Sequence, residues 1–499
     1  MKLWKLFHRE RRRRDPWDHG APLLEFAKHV PWTNRHAMNG TLIVGASGSG
    51  KTSGSGRAIA NAFLQSGYGG IVLCGKSDET TNWCRLCEDS QRTGDLILFG
   101  KTQPWRFNFL DDELTRSGEG AGLTENIVAL LMTILEVADK SGGGKASASD
   151  AYWRNAAKQL IRNAVDAISL SKQRLSVPAL YRMVSSAPIS LEQVKSQEWK
   201  SRSFCYHSLL EAERLPRTAS QNADFALVLD YFTVEFPSLS DKTRSVIVST
   251  FTSTIDVLQR GILRDLFCAE SNITPRAVEE GKIIVIDLPV KEFGQVGLFA
   301  QILWKYCLQR TIERRTFGNG MRPVFVWMDE AQTFLTSNDM EFQATCRSAG
   351  VATVMLTQNV SNFYAALGGS EKAEAETASL FSNLSTKIFH ANSDHGTNDF
   401  ASNVIGQSLQ QFANANTSTS GASGLWGLLD GMNGEQTSST TAGYSESYNF
   451  EVQPSEFTRL RTGGEENDGL IDAIVVQNGR TFDSGRTWLP VTFTQKRRG

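Results

Sequence analysis

Gly45-Ala46-Ser47-Gly48-Ser49-Gly50-Lys51-Thr52 is the stretch on which the reading of this chain turns. It fits G-x-x-x-x-G-K-[ST] in full. Glycine at the bends lets successive main-chain N–H groups curl around a phosphate, and the helix that follows turns its positive end towards it. Lys51 is expected to reach the β and γ phosphates of ATP, and the Thr52 hydroxyl to hold Mg²⁺. The alternative is a plain surface Gly/Ser loop. Its surroundings weigh against that, because the apolar run Thr41–Val44 enters the loop as a buried strand and Gly54–Gln65 leaves it as a helix.

A phosphate cradle needs acidic partners on a neighbouring strand, and Val324-Phe-Val-Trp-Met328-Asp329-Glu330 supplies them. An apolar strand delivers two carboxylates at its C-terminal end, where ligands bind in open α/β sheets. Asp329 is expected to hold Mg²⁺ through its water shell, and Glu330 to polarise the attacking water. Ile283–Leu288 also ends near an acid, Asp287, but Leu-Pro follows, and it ranks behind. A third apolar strand, Val351–Thr357, ends in Gln358, which either senses the γ-phosphate or is an ordinary strand-end amide. Between the last two strands lies Arg347. Spacing alone makes it a surface cation, and the alternative is an arginine finger reaching a neighbouring subunit's nucleotide.

Outward from the site, Ile71–Cys74, Leu96–Phe99, Ile283–Leu288 and Thr386–His390 read as further strands of an α/β sheet. From Leu114 to Asp241 helical periodicity takes over, in Asn126–Val137, Tyr152–Ser169, Val177–Val184 and Ala223–Phe232, with Ser141–Ser149 a flexible loop. The expected organisation is a basic N-terminal segment (1–35), a first motor part (36–113), an inserted all-α domain (114–241), a second motor part (242–410), a Ser/Thr/Gly-rich segment (411–450) and a β-rich closing segment (451–499). Asn414–Ser447 is too polar to bury much surface, so it is not expected to fold tightly. Trp426, Leu428 and Leu429 interrupt it as a docking patch or a loop anchor. Ile471–Gln477 and Trp488–Thr494 read as closing strands around a turn at Asn478–Gly479.

With 499 residues, 40% hydrophobic and 21% charged, the chain is globular and large enough for several domains. A net charge of −1 supplies no global field for nucleic acid, so any such binding must come from local basic patches or an assembled ring. The seven cysteines suit a reducing cytosol, and Cys84 with Cys87 lacks the second Cys/His pair of a zinc site. No apolar run reaches the roughly 18 residues of a membrane span, and no signal-peptide core stands at the start. Leu3, Trp4, Leu6 and Phe7 among Lys2, Lys5, Arg9 and Arg11–Arg14 suit a helix lying on an anionic membrane face, and suit a solvated tail equally well.

Taken together the motifs resemble the coupling proteins of type IV secretion and conjugation, the TraG/TraD type, relatives of the FtsK and HerA ring translocases. GASGSGKT at 45–52, WRFNFLD at 105–111, YWRNAAKQLIRN at 152–163, VFVWMDEAQTF at 324–334 and CRSAGVATVMLTQNVSNF at 346–363 carry the likeness, and VQPSEFTRLRTGG at 452–464 carries it more loosely. The resemblance implies a RecA-like P-loop core, a central mostly parallel sheet with an inserted all-α domain. It implies a homohexamer with ATP and Mg²⁺ between subunits, Arg347 as the trans finger and Gln358 as a sensor. Its implied partners are DNA bound without regard to sequence and expected single-stranded, a relaxase or other secreted protein, and a secretion-channel or membrane partner. Without a spanning run, the expected place is the cytoplasm, or the periphery of the inner face of the bacterial plasma membrane. Two departures stand out. Family members usually begin with membrane-spanning helices, and the family's Asp-x-Lys-Gly after the second strand is here Cys74-Gly-Lys76-Ser77. Against the motor reading stand a nucleotide-gated docking adaptor that recruits cargo, and a HerA-like DNA-processing or packaging motor.

Overall fold

The apolar runs become strands whose parallel pairing brings their C-terminal ends to one edge. The computed structural model describes residues 15–141, 148–420 and 437–495. Along the chain lie β1 (Pro22–Ala27), β2 (Val30–Thr33), β3 (Thr41–Val44), β4 (Gly69–Leu73), β5 (Leu96–Gly100), β6 (Ile283–Asp287), β7 (Val324–Met328), β8 (Val351–Thr357), β9 (Thr386–Phe389), β10 (Gln407–Ser420), β11 (Thr437–Phe450), β12 (Leu470–Gln477) and β13 (Trp488–Thr494). Nine of them form one sheet in the order β13-β12-β9-β3-β8-β7-β4-β6-β5. From β9 to β5 all pairs are parallel, while β12 and β13 add antiparallel at the β9 side. A parallel sheet is covered on both faces and needs strands apolar on both sides. Accordingly β3, β4, β7 and β8 are buried along their whole length.

One face packs on the helices Arg57–Gln65 and Ser77–Asp89, where Phe63 stacks on Tyr68 and Phe325 with ring centroids 4.9 and 5.5 Å apart. On the other face Leu42, Ile71 and Phe99 run into one continuous apolar core with Trp304, Leu131, Ile161 and Phe232. Every described element from Phe109 to Phe267 is helical. These helices therefore share their core with the sheet.

Several expectations need correction. The segment 1–35, expected only as basic, contains ordered structure: β1 and β2 pair as a hairpin, Phe26 and Trp32 are buried, and the Trp32 indole donates to Thr386 Oγ1 at 3.1 Å. The Ser/Thr-rich segment carries ordered pairing at its flanks, Gln407–Ser420 against Thr437–Phe450 in unbroken register. The expectation considered only burial, whereas an antiparallel ladder satisfies its main chain by cross-strand bonds without needing a core. Asn478–Gly479 does make a turn, with Gly479 at φ +72° and Arg480 N–H donating to Gln477 O, but residues 478–487 together join β12 to β13. The basic run 1–14, residues 142–147 of the expected loop, and Trp426, Leu428 and Leu429 lie outside the described residues.

Candidate nucleotide site at the sheet edge

Five adjacent strands end on the same edge: β9, β3, β8, β7 and β4. They deliver, in that order, His390, the loop Gly45–Thr52, Gln358, Asp329 with Glu330, and Lys76. The loop is tied to both neighbouring strand ends, because Gly45 N–H donates to Thr357 O at 3.2 Å and Ala46 N–H to Ala391 O at 2.9 Å. Gly48 and Gly50 sit at φ +78° and +83°, which side-chain-bearing residues rarely adopt. A Cβ on Gly50 would also lie 2.6 Å from Ile471, whose side chain packs on the loop. The chain then enters its helix through a wide π-type turn at Thr52–Gly56, a feature common at functional sites.

The side chains suit a polyphosphate and its cation. Ser49 Oγ is buried with no hydrogen-bond partner, a polar atom that the protein itself leaves unsatisfied. Lys51 is buried, and above Gly48 the space is open. Thr52 Oγ1 donates to Asp329 Oδ2 at 3.1 Å, so the hydroxyl and carboxylate expected to share Mg²⁺ already meet. Burial pushes the Asp329 carboxyl above its ordinary range, and the nearby cations Lys51 and Lys76 oppose that.

Glu330 is held differently. Its backbone lies in the left-handed region at φ +53°, ψ +49°, which costs a residue of its kind on the order of 1–3 kcal/mol. Three side chains fix its carboxylate. Lys76 Nζ and Gln358 Nε2 donate to Oε1 at 2.9 and 2.7 Å, and Gln332 Nε2 donates to Oε2 at 3.0 Å. Burial works to raise its pKa, but these hydrogen bonds, Lys76 foremost, outweigh it and hold the carboxyl down at about 2. Gln358 is thus joined to the acid pair.

Comparison with known proteins places the chain. The family described as Type IV secretory system Conjugative DNA transfer matches residues 7–480. The chain belongs to that family. No curated protein matches it. Among solved structures it is similar to the bacterial conjugative coupling protein TrwBΔN70 in its unbound monoclinic form, at 13% identity and TM-score 0.56, over 96% of this chain and 90% of that one. It is also similar to the plasmid coupling protein TrwB in complex with the non-hydrolysable ATP analogue ADPNP, at 13% identity and TM-score 0.55, over 94% and 89%. For TrwB in complex with ADP and Mg²⁺ the values are 13% and 0.55, over 94% and 88%. At such identity the likeness speaks for the fold: a RecA-like P-loop core with a mostly parallel central sheet and an all-α domain.

Within this conjugative-transfer chain the predicted residues divide. Gly45–Thr52, Asp329, Glu330 and Gln358 gather at one edge. Arg347 does not join them: it lies in the turn Cys346–Ala349 before β8, exposed, at the opposite edge of the sheet. Four neighbours carry roles that the sequence reading did not assign. Lys76 and Gln332 hold Glu330. Glu79 is buried, accepts from the N–H groups of Gly75 and Lys76 at 2.9 and 3.3 Å, and is pushed up to about 9 by burial and by Asp329. His390 is fully buried, its Nε2 2.7 Å from Ser55 Oγ and its Nδ1 3.2 Å from Asp472 O, and burial followed by Lys51 lowers it to about 4. Neutral at ordinary pH, it pins the turn after the cradle. The signals were present in part: Gln332 lies in the quoted Asp-Glu-Ala-Gln run, and His390 ends a predicted strand.

Proposed function

We propose that this chain is a P-loop ATPase that works as a ring motor, coupling DNA or a protein–DNA substrate to a type IV secretion or conjugation channel. The observation that carries the reading is the meeting of Thr52 and Asp329 at 3.1 Å across two strands, with Glu330 beside them. A purely structural adaptor has no use for a lytic acid held by three donors. In this reading the loop N–H groups, Lys51 and Ser49 bind the polyphosphate of ATP. Thr52 and Asp329 hold Mg²⁺, which when bound supplies charge that draws the phosphate oxygens into place. Glu330 orients water and takes its proton. Arg347 serves the site of the neighbouring subunit in a homohexamer.

The partners follow from family membership and are proposals here: DNA bound irrespective of sequence and single-stranded, a relaxase or other secreted protein, and a channel or membrane protein. Among the described residues no helix is long and apolar enough to cross a membrane. In this reading the protein works in the cytoplasm, at the periphery of the inner face of the plasma membrane. The test is the ATPase rate against protein concentration, with and without single- and double-stranded DNA. A steep rise with concentration and stimulation by single strands is expected. A monomer with full, DNA-indifferent activity would overturn the ring motor.

A further inference from the structure

Lys76 is the group near the acid pair for which the proposed chemistry has no use. It follows β4, on the far side of β7 from the cradle, and its Nζ reaches across to Glu330 Oε1 at 2.9 Å. The main chain at this point is held from behind, since Glu79 accepts from the N–H groups of Gly75 and Lys76. A carboxylate oxygen offers about two acceptor positions. On Oε1 both are taken, one by Lys76 and one by Gln358. On Oε2 Gln332 takes one more, and the amide of Gln332 is itself anchored by the Thr357 hydroxyl, which donates to its Oε1 at 3.0 Å. The two glutamines are neutral and placed by strand ends. Lys76 is the cation, and its side chain is a third exposed, so it can leave without unpacking anything.

We infer that Lys76 is a positioning residue that latches Glu330, neutralising its charge and holding one of the two acceptor positions of Oε1, and releasing both when the site closes on a substrate-bearing neighbour. The inference rests on Glu330 being the base proposed above. A base whose charge is neutralised and three of whose four acceptor positions are filled accepts a proton poorly. Strain at the left-handed Glu330 backbone adds to the picture, because a residue held in that region needs contacts to keep it there. The charged groups around the carboxylate are Lys76 and Asp329, with Lys51 and Glu79 acting on it through Asp329. The latch would keep an isolated subunit from spending nucleotide.

The experiment compares wild type, Lys76→Met, Lys76→Arg, Glu330→Gln and the double variant Lys76→Met/Glu330→Gln, all full-length. Steady-state ATP hydrolysis is followed at fixed pH over a range of ATP concentrations, with and without single-stranded DNA, and binding of a fluorescent ATP analogue reports on folding of the site. The latch predicts that Lys76→Met raises DNA-free kcat roughly threefold or more with KM unchanged, and narrows the stimulation by DNA. Lys76→Arg stays near wild type. The double variant is as inactive as Glu330→Gln. A DNA-free kcat in Lys76→Met equal to or below wild type, with analogue binding intact, overturns the latch while leaving the base untouched. Full activity in Glu330→Gln overturns the base and the latch with it, as does analogue binding without hydrolysis in every protein. If Lys76→Met fails to bind the analogue, Lys76→Gln takes its place under the same criteria.

Discussion

The two ends of β8 make opposite use of a polar side chain. At its C-terminal end Gln358 is fixed to Glu330 at 2.7 Å, and Thr357 donates to Gln332 at 3.0 Å, so every group is spoken for within the subunit. At its N-terminal end the chain turns through Cys346–Ala349 to Gly350, at φ +70° against Phe317, and Arg347 stands exposed. Seven residues separate the two ends, roughly 20 Å at a strand's rise. Arg347 therefore cannot serve the cradle of its own subunit. The contrast teaches where to look for a group that acts between subunits: Gln358 is bonded to the acid pair of its own chain, whereas the Arg347 side chain points to solvent and is open to a neighbour.

The sharpest way to break this contrast is Arg347→Ala. In assembled protein it is expected to lower kcat by about 10³–10⁵, the range for arginine fingers, while nucleotide binding by the isolated subunit is unchanged. Mixing it with an inactive Lys51→Ala partner should restore activity, since each subunit then supplies what the other lacks, and mixed-ring ATPase assays check this. At the other end Glu330→Gln should cost about 10²–10⁴ in kcat. Mixing it with Arg347→Ala should also restore turnover, and no recovery would mean that both act in one subunit. Gln358→Ala removes the neutral donor that orients Glu330 while leaving the Lys76 cation on it, a hydrogen bond to a charged group worth about 1.5–3 kcal/mol, and should slow turnover roughly 10- to 100-fold. The smallest effect is expected behind the pair, at Glu79. Its folded pKa is about 9 against an ordinary carboxyl when unfolded. Its contribution to stability is therefore complete below about pH 4.5 and drains away as pH rises towards 9. Glu79→Gln keeps the neutral form at every pH, so its Tm at pH 8 should exceed wild type on the order of 2 °C, and the difference should close near pH 4.5.

Much of the site could be read from residues because its chemistry is local. A phosphate cradle needs its glycines, lysine and hydroxyl in one short run, and Gly45–Thr52 contains all of them. Asp329 and Glu330 end an apolar strand, which a window of a few residues also reveals. The strands of the sheet were legible for the same reason, as β3, β7 and β8 are apolar along their whole length. What escaped depends on which strand lies next to which. Lys76 meets Glu330 only because β4 pairs with β7, and His390 meets Ser55 only because β9 pairs with β3. No periodicity encodes those adjacencies. The β1–β2 hairpin was hidden by the basic run before it. The β10–β11 ladder was hidden because serine and threonine composition speaks to burial and not to main-chain pairing.

The seat of Ile471 against Gly50 has a consequence for biogenesis. Strand β12 joins the sheet beside β9, Ile471 seals the outer wall of the cradle, and the Gln495 amide reaches Ser53 Oγ at 3.2 Å. A ribosome delivers residues 45–56 early and residues 470–495 much later. The loop made first must wait, half-walled, for a segment translated hundreds of positions downstream. Contacts so distant in sequence form slowly, so competence to grip nucleotide would arise only after that segment has emerged, and an interrupted translation product would carry the full phosphate-binding motif without the ability to use it.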